Sequence, residues 1–143
     1  MEFVITRSPP EPATATGLGR KFVLNSTQIR DDHGTVLGQI CVSTQPNEDH
    51  LPIAVTRVLN QSGVVTAEFT RGVGTRPELW FTYDNLTMRV QPRNYFVCEE
   101  IHARTVLPWY PPGQCVYIVD DRVDPVSALF LFQMLEALDD ERP

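Results

Sequence analysis

The sequence predicts a mostly β fold, in which an antiparallel β-barrel or strongly curved sheet encloses a hydrophobic C-terminal α-helix. Residues 124–138 form an apolar run of helical length, and residues 129–132 are four large apolar residues in succession. The preceding chain consists of short β-type segments, separated by turn sequences such as those at residues 31–34 and 60–63. A helix with apolar groups on every side must be enclosed, and a sheet that curls around it provides the enclosure.

The helix itself is predicted from its start signals and its composition. Asp124 is suited to cap the first turn, and Pro125 then occupies the first helical position, where its missing N–H costs nothing. Only Ser127, Gln133 and Glu136 interrupt the apolar run. A membrane span needs ~20 apolar residues, so this shorter run predicts a helix buried inside its own domain.

The β-type segments are assigned from alternating polarity and from turn residues. Val65, Ala67 and Phe69 alternate with polar residues, which is typical of a half-buried strand. Residues 8–19 are rich in Pro, Thr and Gly and predict a flexible loop within one domain that spans residues 1–143. Strands are predicted, in chain order, at residues 1–6, 20–30, 35–42, 51–59, 64–71, 79–83, 86–90, 94–107 and 114–120.

Composition narrows the classes of function. The net charge of −6 argues against a nucleic-acid binder, because neutralising phosphates needs a basic surface. No signal peptide or transmembrane segment is recognisable, and the three cysteines are widely spaced. These features predict a cytoplasmic protein with reduced thiols, for which contact with the membrane periphery is the alternative.

Three segments resemble the LURP-one-related and phospholipid-scramblase-like proteins, whose shared fold is similar to the C-terminal domain of Tubby. Residues 27–38 resemble the family's hairpin of two strands joined by Asp-x-x-Gly, and residues 57–71 are similar to a second such hairpin. Residues 119–139 look like the family's ending, where a last strand and an Asp lead into a helix that threads the barrel. The chain is short for this family, so missing strands or an incomplete barrel are expected. It lacks the cysteine-rich and proline-rich segments of animal scramblases, which argues against lipid scrambling.

The resemblance implies a non-enzymatic binding module, because Tubby-type domains bind phosphoinositide head groups with basic side chains on the barrel surface. An anionic lipid head group is therefore the first predicted ligand. Arginines suit this role, since a guanidinium grips phosphate or carboxylate through two hydrogen bonds. The alternative for each arginine is a local pair with a surface carboxylate. The candidate ligand-binding residues are Arg57, Arg71, Arg76, Arg89 and Arg93, with Trp80 and Tyr83 nearby in sequence.

Two other functions stay open. Trp109 and Tyr110 lie in a Pro- and Gly-rich loop, and aromatic anchors of this kind suit a protein–protein interface. A small enzyme with a ligand in the barrel mouth is the third hypothesis, but no motif supports it.

Catalytic, metal and cofactor motifs are not recognisable in the sequence, and the prediction is that the protein is not an enzyme and has no cofactor. Gly-x-Ser-x-Gly is absent, and residues 17–20 lack the spacing of a phosphate loop. Cys98 and His102 form a single pair, whereas a zinc site needs about four ligands. The aspartates at residues 120–124 lack the spacing of a calcium loop, so capping and solubility explain them better.

Overall fold

The computed structural model describes residues 1–45, 53–72, 79–90, 101–106 and 113–140. These residues form one α-helix, α1 (Pro125–Asp140), and eleven β-strands. The strands are β1 (Glu2–Thr6), β2 (Thr14–Gly17), β3 (Arg20–Leu24), β4 (Gln28–Asp31), β5 (Val36–Gln45), β6 (Ile53–Asn60), β7 (Val65–Gly72), β8 (Leu79–Tyr83), β9 (Leu86–Arg89), β10 (Ala103–Val106) and β11 (Gln114–Val119).

All eleven strands belong to one antiparallel sheet. Its order is β10-β11-β1-β2-β3-β4-β5-β6-β7-β8-β9. Most neighbours in the sheet are consecutive in the chain, and the exception is β1, which pairs with β11 and brings the two ends of the chain together. Among the described strands the sheet is not closed, because β9 and β10 stand at its two ends and are not paired with each other.

One face of this sheet carries the hydrophobic core. Side chains alternate between faces along a strand, so every second residue points to the inner face. Phe69 and Phe81 are cross-strand partners on that face, and their rings stack at 5.1 Å. The strands contribute these fully buried large side chains to the core: Phe3, Ile5, Phe22, Ile29, Phe69, Phe81 and Tyr117.

Helix α1 is enclosed by the inner face. Its residues 127–132 are all buried, including a 0 % exposed Leu129 and a 1 % exposed Phe130. Strands that are far apart in the sheet order both make contact with α1. The Tyr117 hydroxyl on β11 donates to the Ala128 carbonyl at 2.8 Å, and the Thr66 hydroxyl on β7 lies 3.1 Å from the Ser127 hydroxyl. The predicted fold, a strongly curved sheet around a hydrophobic C-terminal helix, is confirmed.

The helix start has the predicted capping geometry. The Asp124 carboxylate accepts a hydrogen bond from the Ser127 backbone N–H at 2.9 Å, and the Asp124 carbonyl accepts from the Ala128 N–H. The Tyr83 hydroxyl on β8 in turn accepts from the Asp124 N–H at 2.9 Å. The cap therefore also ties the helix to the sheet.

Two predictions about segment boundaries were wrong. Residues 8–19 were expected to be one flexible loop, but β2 occupies Thr14–Gly17 and pairs with both β1 and β3. Residues 20–30 were expected to be one strand, but they divide into β3 and β4. The Asn25 side chain accepts hydrogen bonds from the backbone N–H and the hydroxyl of Thr27, and this local bonding makes a turn where apolar content alone suggested continuity.

Candidate functional site

The predicted ligand-binding arginines divide between the two faces of the sheet. Arg57 lies on β6 and pairs with Glu68 on β7. Arg89 lies on β9 and pairs with Trp80 on β8. Phe81 and Val58 point inward, so the adjacent residues Trp80 and Arg57 point outward. Directly paired residues point to the same face, so Arg89, the partner of Trp80, also points outward. Arg57 and Arg89 therefore project from the outer face.

Arg71 lies on the opposite face from these two arginines. Its cross-strand partner on β8 is Leu79, which is 4 % exposed, and it follows the inward-pointing Phe69 by two residues. Arg71 therefore does not share the outer face with Arg57 and Arg89. Strand alternation explains the difference, because Arg71 and Arg57 fall at positions of opposite parity in the paired strands.

Four predicted residues lie outside the described part of the chain. They are Arg76 and Arg93 of the ligand-binding set, and Trp109 and Tyr110 of the predicted interface loop.

The outer patch is the name used here for Arg57, Glu68, Trp80, Thr82 and Arg89 on strands β6 to β9. The register places Glu68 between Arg57 and Thr82, while Trp80 lies between Thr70 and Arg89. Trp80 is 37 % exposed, an unusual degree for such a large aromatic side chain. Arginine and tryptophan on one open face provide both charge-assisted hydrogen bonds and apolar contact.

Arg57 has a carboxylate beside it. Its Nε lies 3.4 Å from the Glu68 carboxylate, and the two side chains are about one-third exposed. Ion pairs that are this exposed contribute about 0–1 kcal/mol to folding stability, because water screens their attraction. The Arg57 guanidinium can therefore exchange Glu68 for an external anion at little cost, although Glu68 itself repels that anion.

The two outward arginines are too far apart to grip one phosphate together. Three strand spacings separate β6 from β9, which is ~14 Å at the usual strand separation. The outer patch is thus suited to an extended charged surface rather than to one small anion.

A second feature is an open depression beside the N-terminus of α1. Its volume is about 580 Å³, and it is lined by Asn60, Thr66, Tyr83, Asp84, Arg122 and Asp124. Burial, and the nearby Asp124 and Asp84 carboxylates, raise the pKa of Tyr83, so its phenol keeps its proton at neutral pH. Sequence reasoning singled out Asp124 of this set, through its capping signal, and named Tyr83 only as an aromatic neighbour of the candidate arginines. The fold brings together Asn60 at the end of β6, Thr66 on β7, Asp84 in the turn after β8 and Arg122 before α1, which are far apart in sequence.

The aspartates before the helix have separate structural partners. Both oxygens of Asp120 accept hydrogen bonds from the Arg122 guanidinium, at 3.1 and 2.7 Å. These bonds, together with one from the Arg122 backbone N–H, hold the pKa of Asp120 below its usual value. Asp121 pairs with the Met1 amino group, and Asp124 caps the helix. Each carboxylate is thus explained by its own bonds.

The thiols do not form a metal site with other described residues. The Cys115 side chain is buried, and burial followed by the charge of Glu136 raises its pKa to about 12, so the thiol is neutral and unreactive. Cys41 is exposed on β5. Cys98 lies outside the described part, so its predicted proximity to His102 is untested. Within the described ranges, no group of three or more His, Cys, Asp or Glu side chains is placed to hold a metal ion.

Comparison with protein-family models, curated proteins and solved structures gives no match for this chain. The resemblance to the LURP-one-related family therefore stays a prediction. In the part of the chain that the structure describes, no helix is long and apolar enough to cross a membrane.

Proposed function

We propose that this domain is a non-catalytic binding module whose outer patch contacts anionic lipid head groups. The observation that carries this proposal is the projection of Arg57 and Arg89 from one outer face, with the exposed Trp80 paired to Arg89. Lipid surfaces present many anions side by side, so two arginines ~14 Å apart can contact different head groups. Tryptophan favours the interface between lipid and water, because its ring is apolar and its N–H is polar.

The position of α1 supports surface binding over binding in the interior. Large side chains of the helix and the inner face, such as Leu131, Phe132 and Tyr117, are at most 1 % exposed. The Tyr117 and Phe132 rings lie 5.2 Å apart, in direct contact. A ligand that entered this region would have to displace packed aromatic groups.

The small electrostatic attraction between two arginines and an anionic membrane predicts weak, salt-sensitive binding to that membrane. A basic side chain near an anionic membrane contributes about 1 kcal/mol, and this attraction falls off within a Debye length. Two arginines therefore contribute about 2 kcal/mol, which Glu68 and the net charge of −6 reduce. Specific contact with a multiply charged head group is needed for tight binding.

Vesicle sedimentation tests the proposal. Phosphatidylcholine vesicles with and without a phosphoinositide are mixed with the protein at low and at high salt. We expect binding that requires the phosphoinositide and weakens with salt. The Arg57→Ala/Arg89→Ala variant should bind less tightly by at most roughly 30-fold, since each arginine contributes no more than about 1 kcal/mol.

Lys21→Ala is the matched control for this experiment. Lys21 is an exposed cation on β3, remote from β8 in the order of the sheet. Its loss should have a much smaller effect than either arginine substitution. Equal losses from Lys21→Ala and Arg89→Ala would mean that bulk charge, and not the outer patch, determines adhesion, and would contradict the proposal.

A protein partner is the second candidate, and the mixed charge of the outer patch favours it. Glu68 beside Arg57 suits a partner that carries both signs of charge, and Trp and Arg are the residues most enriched in interface hot spots. Absence of vesicle binding would favour this candidate. Comparing Trp80→Ala with Trp109→Ala in co-purification would then show whether the outer patch or the predicted aromatic loop makes the contact.

A further inference from the structure

A small aliphatic cluster lies on the outer face of the two strands that join the ends of the chain. Val4 on β1 pairs directly with Val116 on β11, and Ile118 follows Val116 by two residues. Their neighbours Phe3 and Tyr117 are fully buried, so strand alternation places the three aliphatic side chains on the outer face. Val4 is 39 % exposed, and the other two are half-buried.

Opposite charges flank this cluster in a single row across the strands. Ile118 pairs with Glu2 on β1 and with Arg104 on β10, so it lies between the two charged residues. Both charged side chains are exposed, and neither makes an ion pair with any residue of the described ranges. Two strand spacings separate them, about 10 Å at the usual strand separation, which is too far for them to pair with each other. The β11 strip is the name used here for Glu2, Val4, Arg104, Val116 and Ile118.

The charges of the β11 strip are complementary to the same strip on a second copy of the chain. A two-fold axis parallel to β11, midway between two facing copies, exchanges the two sides of that strand. Arg104 of each copy then faces Glu2 of the other, and Ile118 faces its own equivalent. An axis perpendicular to the strands would instead bring Arg104 opposite Arg104 and Glu2 opposite Glu2. Like charges repel, so the row of charges selects the parallel axis.

The surroundings of the β11 strip are compatible with this arrangement. Asp120 continues the outer face of β11 beyond Ile118, but both of its carboxylate oxygens are bonded to the Arg122 guanidinium, which offsets their charge. Because the sheet curves around α1, its outer face is convex, and two copies can meet only along a strip a few strands wide. An interface of this width is small, so the association is weak and transient.

We propose that the β11 strip is a self-association surface through which two copies of this chain form a weak two-fold dimer. Two Arg104–Glu2 pairs in each dimer fix the orientation, and covering the aliphatic cluster removes apolar surface from water. The strip lies on β10, β11 and β1, whereas the outer patch lies on β6 to β9. The inference therefore does not depend on the proposed function.

Sedimentation velocity of the purified protein, from micromolar to millimolar concentration, tests this inference. We expect the unmodified chain to show a monomer–dimer equilibrium. Arg104→Glu and Glu2→Arg each replace two attractive pairs by two repulsive ones, so each variant should dimerise roughly tenfold more weakly or worse.

Restoring the opposite charges separates pairing across the interface from an effect on the fold. When the Arg104→Glu and Glu2→Arg variants are mixed in equal amounts, opposite charges face each other again in the mixed dimer. We expect this mixture to associate, although each variant alone does so poorly. The Glu2→Arg/Arg104→Glu double variant, whose net charge is that of the unmodified chain, should dimerise as well as the unmodified chain.

Arg30→Glu is the control for net charge. It makes the same change of charge as Arg104→Glu, at an exposed position on β4, four strands from β11 in the sheet order. We expect it to leave self-association unchanged.

Three results would overturn the inference. They are an unmodified chain that stays monomeric at millimolar concentration, equal losses from Arg30→Glu and Arg104→Glu, and no recovery of association in either the mixture or the double variant. None of them bears on the vesicle experiment, so self-association and the proposed head-group binding fail or stand separately.

Discussion

Single carboxylates organise the turns that shape this domain. The Asp31 carboxylate accepts hydrogen bonds from the backbone N–H groups of His33 and Thr35, both at 2.9 Å, and closes the turn between β4 and β5. Asp120 fixes the turn before the helix in a similar way, because its carboxylate accepts hydrogen bonds from the backbone N–H and the guanidinium of Arg122. The sequence predicted the first of these turns, because Asp and Gly favour such local bonding, whereas it explained Asp120 only by capping and solubility. The sequence could not predict which groups donate hydrogen bonds to each carboxylate.

These two carboxylates predict a dependence of stability on pH. The bonds from Thr35 and Arg122 lower the folded-state pKa of Asp31 and Asp120, respectively, below the usual value for an aspartate. A depressed folded pKa gives stability that is present above the unfolded pKa and is lost as pH falls through the folded pKa. The urea midpoint should therefore fall as the pH drops below about 4.

The Asp31→Asn/Asp120→Asn variant is the comparison for this prediction. Asparagine keeps an acceptor oxygen but does not titrate, so the midpoint of the variant should change less with pH over the same range. Equal changes of midpoint with pH in the two proteins would show that other groups cause the acid sensitivity.

At the level of elements, β5 approaches the helix closely enough to require a glycine. A Cβ added to Gly38 would overlap the Val126 Cγ1 atom and would lie 3.2 Å from the Leu59 carbonyl oxygen. Gly38 is buried and pairs with Asn60 on β6. The glycine therefore sets the distance between the sheet and the first turn of α1.

Gly38→Ala should lower the free energy of unfolding by about 1–3 kcal/mol, since overpacking forces side chains or backbone to move. Urea denaturation measures this loss. The Gly38→Ala/Val126→Ala double variant should lose less than the sum of the two single variants, because the second change removes the overlapping methyl group. Gln39→Ala, at the exposed neighbouring position, should cost no more than about 0.5 kcal/mol. Strict additivity in the double variant would contradict this explanation.

Elements with a clear periodic signal could be predicted, and those set by local bonding could not. The continuous apolar run and the preceding Asp124 predicted α1 and its cap, and the alternation of apolar and polar residues predicted β7. By contrast, β2 is a short strand of Thr, Ala and Gly without apolar alternation. Its place between β1 and β3 depends on long-range pairing, which propensity does not record.

At the scale of the whole molecule, the sheet order explains how a mostly β chain buries residues 127–132 of its helix. Pairing of β1 with β11 connects the start of the chain to the strand before α1, so the sheet curls around the helix. At the far end of α1, Arg7 just after β1 bonds to Glu136 at 3.1 Å. The fold class could be predicted from the sequence, because a sheet built from the predicted strands must curve to enclose a helix with apolar side chains on every side.

The candidate sites followed less well from the sequence, for a geometrical reason. Arginine-rich hairpins were recognisable, but the face on which each arginine lies depends on register. Arg57 and Arg71 lie on neighbouring strands, so their relative orientation depends on which residues pair across the strands, and this long-range register cannot be derived from local sequence. The depression by α1 joins residues that are far apart in sequence, so only the folded chain brings them together.

The most direct test of binding through the outer patch is the fluorescence of Trp80 in contact with vesicles. Substituting Trp109 by Phe leaves Trp80 as the one tryptophan, because the sequence contains two. With phosphoinositide vesicles, we expect the Trp80 emission to shift to shorter wavelength as the ring leaves water, and we expect high salt to reverse the shift. Unchanged emission from a protein that nevertheless sediments with the vesicles would contradict binding through the outer patch.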